Sequence, residues 1–134
     1  MSGVAGMTLG SWLALAGAGG LGAMSRYAVY RAVAPAEHGA FPVATVLVNV
    51  VGSLLFGLVV VLADEGQLFG ARTRTILLAD FLGAFTTFST FAFETAELLR
   101  LGHTGRALLN ALAQNCGAVL GVFGGIALGR LLAD

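Results

Sequence analysis

The sequence predicts an all-α integral membrane protein: one domain of four transmembrane helices, with a break in the third. Of its 134 residues, 57% are hydrophobic and only 10% are charged, and the mean hydropathy is +0.90. A soluble domain carries about 25% charged residues. Residues 1–25, 39–63 and 107–129 contain no Asp, Glu, Lys or Arg, and residues 75–93 contain only Asp80. A span needs about 20 apolar residues, so these four stretches predict the spans. We place the helices at about 9–33, 41–62, 75–100 and 105–132 of a single domain that covers 1–134.

The first predicted helix combines small residues with a polar end. Close helix approach is favoured by its glycines, which are Gly17, Gly19, Gly20 and Gly22. Arg26 follows these glycines and is flanked by tyrosines and a second arginine. Two interpretations stand for this end. Either it is an interfacial belt whose arginines reach lipid phosphates, or Arg26 lies at a vestibule that attracts anions.

Two polar side chains are predicted at membrane depth in the second and third helices. Asn49 is the one strongly polar residue near the middle of the second helix. Its amide either bonds to a neighbouring helix or lines an ion path, where the amide hydrogens serve as donors. Asp80 precedes the hydroxyl-rich part of the third helix, where a carboxylate is costly. It faces a vestibule, pairs with an arginine or is protonated.

The fourth predicted helix carries a glycine ridge at a spacing of four, which is a strong packing signal. The ridge consists of Gly117, Gly121, Gly125 and Gly129. The same helix contains the amides Asn110, Gln114 and Asn115, the first two on one face. These amides either extend a polar path or bond to neighbouring helices.

The centre of the chain is residues 83–91, GAFTTFSTF, where four hydroxyls and three phenylalanines fall within nine residues. Glycine and β-branched threonines weaken helix continuity. A broken helix at membrane depth is tolerated only where it is buried in protein or lines a polar cavity. We therefore expect the functional site here.

This stretch has the chemistry to handle ions. Hydroxyls and the Asn49 amide donate hydrogen bonds to an anion, and the positive edges of phenylalanine rings attract one. Phe85, Phe88 and Phe91 recur every three residues, so we expect them to stack along one side of a helix, either as an anion path or as simple packing. A break also frees backbone carbonyls, which suit Na⁺, and we place them between Gly83 and Thr86.

The arginines predict no fixed orientation in the membrane. One side carries Arg72, Arg74 and Arg130. The other side carries Arg26, Arg31, Arg100 and Arg106. The positive-inside rule requires a clear excess on one side, and three against four gives none. Insertion in both orientations and a closed antiparallel dimer follow from this balance.

Other classes of function find no support in the sequence. The single cysteine, Cys116, excludes an intrachain disulfide and a cysteine-cluster metal site. Catalysis needs a nucleophile or acid beside a base, and the spans hold no His or Cys constellation, so we predict that the protein is not an enzyme. A net charge of zero gives no case for nucleic-acid binding.

With these residues in view, the sequence resembles the Fluc (CrcB) family of fluoride channels over nearly its whole length. Residues 86–91, TTFSTF, match the family's third-helix signature, and Glu94 falls where the family often has a glutamate. Residues 19–27, GGLGAMSRY, resemble its first-helix pattern GGxGAxxRY. Residues 45–57, with Asn49 and Gly52, are similar to its second-helix pattern.

The resemblance implies a multi-pass protein of the cell membrane that passively exports fluoride from the microbial cytoplasm and so protects against fluoride toxicity. It implies an antiparallel homodimer of dual topology with two pores, in which the ring edges of Phe88 and Phe91 face fluoride. The implied anion pathway consists of Arg26, Asn49, Phe88, Ser89, Thr90, Phe91 and Glu94. The carbonyls of Gly83 and Thr86 would hold a structural Na⁺ at the dimer interface.

The chain departs from the family pattern at three places. The family usually has a glycine pair where this chain has Gly83 and Ala84, and a small residue where it has Asp80. The fourth helix lacks the expected tyrosine and serine, which leaves Asn110, Gln114 or Asn115 as substitutes. The alternative function is a small four-helix dual-topology proton-coupled exporter, although the first helix lacks the acidic residue of such exporters. A structural membrane subunit is a third possibility.

Overall fold

The computed structural model describes residues 8–33, 38–66 and 68–133, and every regular element in these ranges is a helix. In chain order they are α1 (Leu9–Val33), α2 (Val43–Asp64), α3 (Ala71–Thr75), a π-helical segment (Ile76–Leu82), α4 (Gly83–Phe85), α5 (Phe88–Arg100) and α6 (Thr104–Ala133). The elements from α3 to α5 form one helical stretch that is interrupted at Thr86 and Thr87. This confirms the predicted all-α fold of four helical stretches with a break in the third.

Three of these stretches are long and apolar enough to cross a membrane: Val43–Asp64, Ala71–Arg100 and Thr104–Ala133, with mean hydropathies of 2.7, 1.6 and 1.8. The remaining helix, α1, has 25 residues and is therefore about 37 Å long, which also suffices for a span. Its hydropathy is lower because glycines and Arg26 interrupt the apolar residues. The chain is therefore a multi-pass membrane protein.

The glycine ridge of α6 brings α2 and α6 into parallel backbone contact. A Cβ at Gly121 would lie 2.9 Å from the carbonyl oxygen of Val50. A Cβ at Gly125 would overlap the carbonyl oxygen of Leu54. Gly57 on α2 likewise faces the backbone of α6. Small residues at a spacing of four thus serve as the packing surface that the sequence predicts.

Two further glycines, one on α1 and one on α2, allow these two helices to pack closely against the region of the break. A Cβ at Gly22 on α1 would overlap the carbonyl oxygen of Phe81 in the π-helical segment, and it would touch Ala84 at 3.2 Å. A Cβ at Gly52 on α2 would overlap the side chain of Thr86 at the break itself. Because α1 and α2 both pack closely against this region at a glycine, the break has little room to shift.

The apolar core lies on the N-terminal side of the break. Val48 of α2 packs with Leu78 and Leu82 of the π-helical segment and with Phe85 of α4, and all four are buried. The buried polar residues lie at the break and beyond it, in the part of the molecule that we call the polar half. They are Thr45, Thr87, Asn110 and Gln114, which are at most 6% exposed and lie beside the buried apolar residues Ala44, Leu98 and Ala107. Buried polar groups are costly unless they are bonded, so their concentration in this polar half indicates a functional site there.

We predict that Gly125→Ala lowers the free energy of unfolding by about 1–3 kcal/mol, because its methyl group forces α6 away from the Leu54 carbonyl. The measurement is unfolding of the purified protein in detergent. The matched control is Gly124→Ala, because no heavy atom lies within 4 Å of a Cβ placed there. Equal stability of the two variants would show that the α2–α6 contact is not close.

Candidate functional site

The break consists of two residues in extended conformation. Thr86 has φ −79° and ψ 160°, and Thr87 has φ −152° and ψ 114°. The helix restarts at Phe88 with Thr87 as its N-cap, and the Thr87 hydroxyl accepts a hydrogen bond from the backbone N–H of Thr90 at 3.3 Å. Threonine is a favoured cap because its oxygen takes up one of the unbonded N–H groups at the start of a helix.

The side chain of Asn49 holds the break in place. Its Oδ1 accepts from the backbone N–H of Thr87 at 2.8 Å, and its Nδ2 donates to the Thr87 carbonyl at 3.0 Å. A primary amide satisfies both backbone groups of one residue because it carries a donor and an acceptor side by side. Asn49 therefore replaces the helical bond that the Thr87 N–H lacks, and it adds a second bond to the Thr87 carbonyl, which as the N-cap carbonyl also accepts the first bond of α5.

The break releases backbone carbonyls, among them those of Gly83 and Thr86. In a continuous helix, Thr87 N–H would bond to the Gly83 carbonyl and Thr90 N–H to the Thr86 carbonyl. Instead, Thr87 N–H donates to Asn49 and Thr90 N–H donates to the Thr87 hydroxyl. The carbonyls of Gly83 and Thr86 thus lose their helical donors, and they are the pair that the family resemblance implies as Na⁺ ligands.

One of the released carbonyls has a cationic partner. A guanidinium nitrogen of Arg26 on α1 donates to the Thr86 carbonyl at 3.2 Å. Arg26 thus lies beside the break and has a definite contact there, rather than only the lipid-facing position that an interfacial belt requires. The Gly83 carbonyl belongs to an exposed residue. Both oxygens are hard donors of the kind that Na⁺ prefers, so the residues present fit such an ion.

A ladder of amides continues from Asn49 into the polar half of the chain. Asn49 Nδ2 also donates to Gln114 Oε1 at 2.8 Å, and Gln114 Nε2 donates to Asn110 Oδ1 at 3.4 Å. Asn110 Nδ2 then donates to the Thr95 hydroxyl at 2.9 Å. The ladder joins α2, α6 and α5. Two amides of the fourth helix, Asn110 and Gln114, therefore bond to neighbouring helices. Asn110 and Gln114 face inwards.

Asn115 lies outside the ladder. Asn115 is exposed, and its amide donates to the carbonyl of Ala111 one turn earlier on α6. The Asn115 residue also lines the groove described next.

An open groove of about 450 Å³ runs along the break. Phe88 and Phe91 lie in its wall with ring centroids 5.4 Å apart and an interplanar angle of 65°, so the edge of one ring approaches the face of the other. The groove is also lined by the polar residues Asn49, Ser53, Thr86, Thr87, Gln114 and Asn115. Aromatic rings and amide side chains therefore line one surface.

The expectation that three phenylalanines line one side of a helix is wrong for Phe85. The break separates it from the other two. Phe85 turns into the core, where it is 7% exposed and stacks on Phe81 at a centroid distance of 6.2 Å. A spacing of three places residues on one face only while the helix is continuous.

Ser89 and Thr90 occupy the first turn of α5. The Thr87 hydroxyl lies 3.4 Å from the Ser89 hydroxyl and 3.0 Å from the Thr90 hydroxyl. The Ser89 residue is exposed and Thr90 is half-buried. These two predicted residues thus surround the N-cap, beside the Phe88 and Phe91 rings.

Glu94 belongs to a second cavity of about 200 Å³ near the end of α1. Its Oε1 accepts from the Thr45 hydroxyl at 2.7 Å, and Thr45 lies 2.6 Å from the hydroxyl of Tyr30. Because the Thr45 hydrogen is directed at Glu94, the Tyr30 hydroxyl donates to Thr45. Glu94 Oε2 is buried without a hydrogen-bond partner among the described residues.

Asp80 takes no part in this network. Asp80 lies half-buried in the π-helical segment. In the described part of the chain the ion pairs are Arg74–Asp64, Arg100–Glu97 and Arg130–Glu65, so Asp80 does not pair with an arginine there.

Sequence reasoning missed the roles of Thr45, Thr87 and Thr95. The available signal was spacing. Thr45 and Asn49 are four residues apart on α2 and therefore share a face, as Phe91 and Thr95 do on α5. Spacing places residues on a common face, but it does not identify their partners on other helices.

Comparisons with known proteins agree on one family. A family model described as "CrcB-like protein, Camphor Resistance (CrcB)" matches residues 13–126. The "Fluoride-specific ion channel FluC" of Nitrosococcus oceani is 41% identical over 122 residues, which cover 91% of this chain and 96% of that protein. The "Fluoride-specific ion channel FluC 2" of Natronomonas pharaonis is 44% identical over 126 residues, which cover 94% of this chain and all of that protein. The FluC protein of Saccharophagus degradans is 48% identical over 92 residues, which cover 69% of this chain and 68% of that protein.

We predict that Asn49→Leu lowers the free energy of unfolding by about 1–3 kcal/mol, because it leaves the N–H group of Thr87 unbonded and removes one of the bonds to the Thr87 carbonyl. Detergent unfolding measures the loss. Asn49→Asp, which keeps the acceptor for Thr87 N–H and loses both donors, should fall between wild type and Asn49→Leu. Asn115→Leu is the matched control, since its amide bonds only within its own helix. A small loss in Asn49→Leu, equal to that of the control, would contradict the proposed support of the break.

Proposed function

The chain belongs to the CrcB-like protein family, and on that premise we propose that it is a fluoride-selective channel that passively exports fluoride from the cytoplasm and so protects against its toxicity. The family is one of ion channels, so the chain is not an enzyme. The observation that carries the proposal is the meeting of the Phe88–Phe91 pair with amide donors at a helix break in one groove.

We propose that the groove replaces the water around fluoride with several weak donors. Phenylalanine rings are positive at the edge, and the 65° angle between Phe88 and Phe91 leaves ring edges in different directions. The N-terminal end of α5 adds partial positive charge, and the hydroxyls of Ser89 and Thr90 lie at that end. Several modest contacts in succession favour entry without preventing exit, as conduction requires.

The remaining predicted residues take supporting roles in this proposal. Asn49 fixes the break and directs the amide ladder, so it acts on the pathway mainly through position. Arg26 supplies positive charge beside the break. Glu94 orders the hydroxyls of Thr45 and Tyr30 in the second cavity, which we propose as one end of the pathway.

We further propose that two copies form an antiparallel homodimer around a structural Na⁺. Each chain would contribute two of its released carbonyls, those of Gly83 and Thr86, whereas hard cations collect several oxygen ligands. A second copy related by a two-fold axis doubles that number. The groove is open along one side, and a second copy would close it. The ion would neutralise the partial negative charge at the end of α4 and hold the two breaks together.

The charge distribution supports insertion in both orientations. On one membrane side, Arg74 pairs with Asp64 and Arg130 pairs with Glu65. On the other side, Arg100 pairs with Glu97, and Arg106 donates to the Gly39 carbonyl at 2.6 Å. The positive-inside rule counts arginines whether or not they are paired, so it is the balance of three arginines against four that leaves no strong bias.

We predict fast fluoride efflux from liposomes that contain the purified protein, with little chloride efflux. Phe88→Ile should slow fluoride efflux by about tenfold, since it removes a ring edge worth up to about 1.5 kcal/mol. The control is Phe123→Ile, which changes an exposed phenylalanine on α6 away from the groove. Equal fluoride and chloride efflux, or equal loss in both variants, would count against the proposal. Transport that requires a proton gradient would favour the exporter.

We predict that reporter fusions to the C-terminus are active on both sides of the membrane in comparable amounts. The reason is the near balance of arginines, three against four. One reporter should fluoresce only in the cytoplasm and the other should be enzymatically active only outside it. Addition of three lysines after Asp134 should shift the signal to the cytoplasmic reporter. A single active reporter in the unmodified protein would contradict dual topology.

A further inference from the structure

Arg26 makes a contact that an anion-attracting residue does not need. Its guanidinium lies on α1, sixty residues before the break in sequence, and donates to the carbonyl of Thr86 at 3.2 Å. Gly22, one turn earlier on α1, packs directly against Phe81 and Ala84. The close packing of α1 therefore holds the Arg26 backbone at a fixed distance from the break.

The Thr86 carbonyl is a good acceptor for a cation. Its helical donor, Thr90 N–H, is bonded to the Thr87 hydroxyl. It also lies at the C-terminal end of the helical stretch that ends at α4, where aligned peptide dipoles leave partial negative charge. A guanidinium is permanently charged and adds a charge-assisted hydrogen bond there. Arg26 thus occupies one of the two oxygens that we assign to sodium.

Two cations beside one carbonyl oxygen repel each other. The repulsion is stronger at membrane depth than in water, because the surroundings are less polarisable and exclude mobile ions. The alternatives are therefore a weaker sodium site or movement of the guanidinium away from Thr86.

We propose that Arg26 competes with sodium for the Thr86 carbonyl, an inference that rests on the proposed sodium site. Arg26 acts as a positioning residue that holds the break from within the chain, and sodium replaces that contact when the ion binds. The displaced guanidinium keeps its charge next to the groove, because Thr86 itself lines the groove. Sodium binding and the positive charge available to an anion are thereby linked.

The experiment measures the thermal unfolding midpoint of the purified full-length protein in detergent against sodium concentration. Choline chloride holds the ionic strength constant. A ligand that binds only the folded state raises the midpoint once its concentration exceeds the dissociation constant. We compare wild type with Arg26→Met, Arg26→Gln and the control Arg31→Met. Arg31 is an exposed arginine in the last turn of the same helix.

We expect Arg26→Met to unfold at a lower temperature without sodium, because the Thr86 carbonyl loses its donor. Its midpoint should begin to rise at a sodium concentration about tenfold lower than in wild type, because the competing charge is gone. Arg26→Gln should show the same shift, and it decides the question if Arg26→Met does not fold. Arg31→Met should follow wild type.

Two outcomes would overturn the inference, and they are distinguishable. If sodium stabilises all four proteins at the same concentrations, or stabilises the Arg26 variants only at higher ones, Arg26 does not compete and the sodium site remains. If sodium stabilises none of them beyond choline, the sodium site itself fails and the inference fails with it.

Discussion

The paired hydrogen bonds between Asn49 and Thr87 are the interaction on which the rest of the site depends. At membrane depth, an unbonded N–H or C=O group costs several kcal/mol, so a helix can break only where another group takes up its bonds. The Asn49 amide takes up both at one residue, at 2.8 and 3.0 Å. It thereby turns Thr87 into an N-cap and starts α5 in a new direction. The groove, the aromatic pair and the released carbonyls all follow from that change of direction.

The packing around the break is what allows an amide to do this. Glycines bring the neighbouring helices into backbone contact: Gly22 at the π-helical segment, Gly52 at Thr86 and Gly125 between α2 and α6. Each contact leaves no room for a methyl group. The Asn49 side chain therefore lies within hydrogen-bond distance of Thr87, and Gln114 and Asn110 continue the bonding as far as Thr95. Small residues and buried amides are thus two parts of one arrangement.

Much of the fold was predictable because a membrane imposes strong rules on sequence. Charge-free runs gave the spans, and hydroxyls with a glycine gave the break. The partners of each side chain were not predictable in the same way. The sequence left Asn49 with two interpretations, and the choice depended on which residue of another helix lies opposite it. Phe85 shows the same limit: its spacing fits the Phe88–Phe91 stripe, but two extended residues rotate it into the core.

Thr45 and Glu94 illustrate a further reason why side-chain partners cannot be predicted from the sequence. They lie 49 residues apart and meet at 2.7 Å because α2 and α5 are brought together by contacts elsewhere. Neither residue contains information about the other. Periodicity within one helix identifies a face, whereas a pair of this kind requires the relative position of two helices, which the sum of many glycine and apolar contacts determines.

One break can serve two ions of opposite charge because its two ends differ in polarity. The stretch that ends at α4 presents carbonyl oxygens, and α5 begins with N–H groups and hydroxyls. In the proposed function, the first end takes a cation and the second faces an anion, so each ion lies next to the partial charge that favours it. Oppositely charged ions a few residues apart also attract each other, and this attraction strengthens where surrounding water is scarce. A protein that needs a desolvated anion at membrane depth therefore gains from a fixed cation at the same break. Arg26 is an alternative cation for the same carbonyl, and it is covalently tethered to the chain.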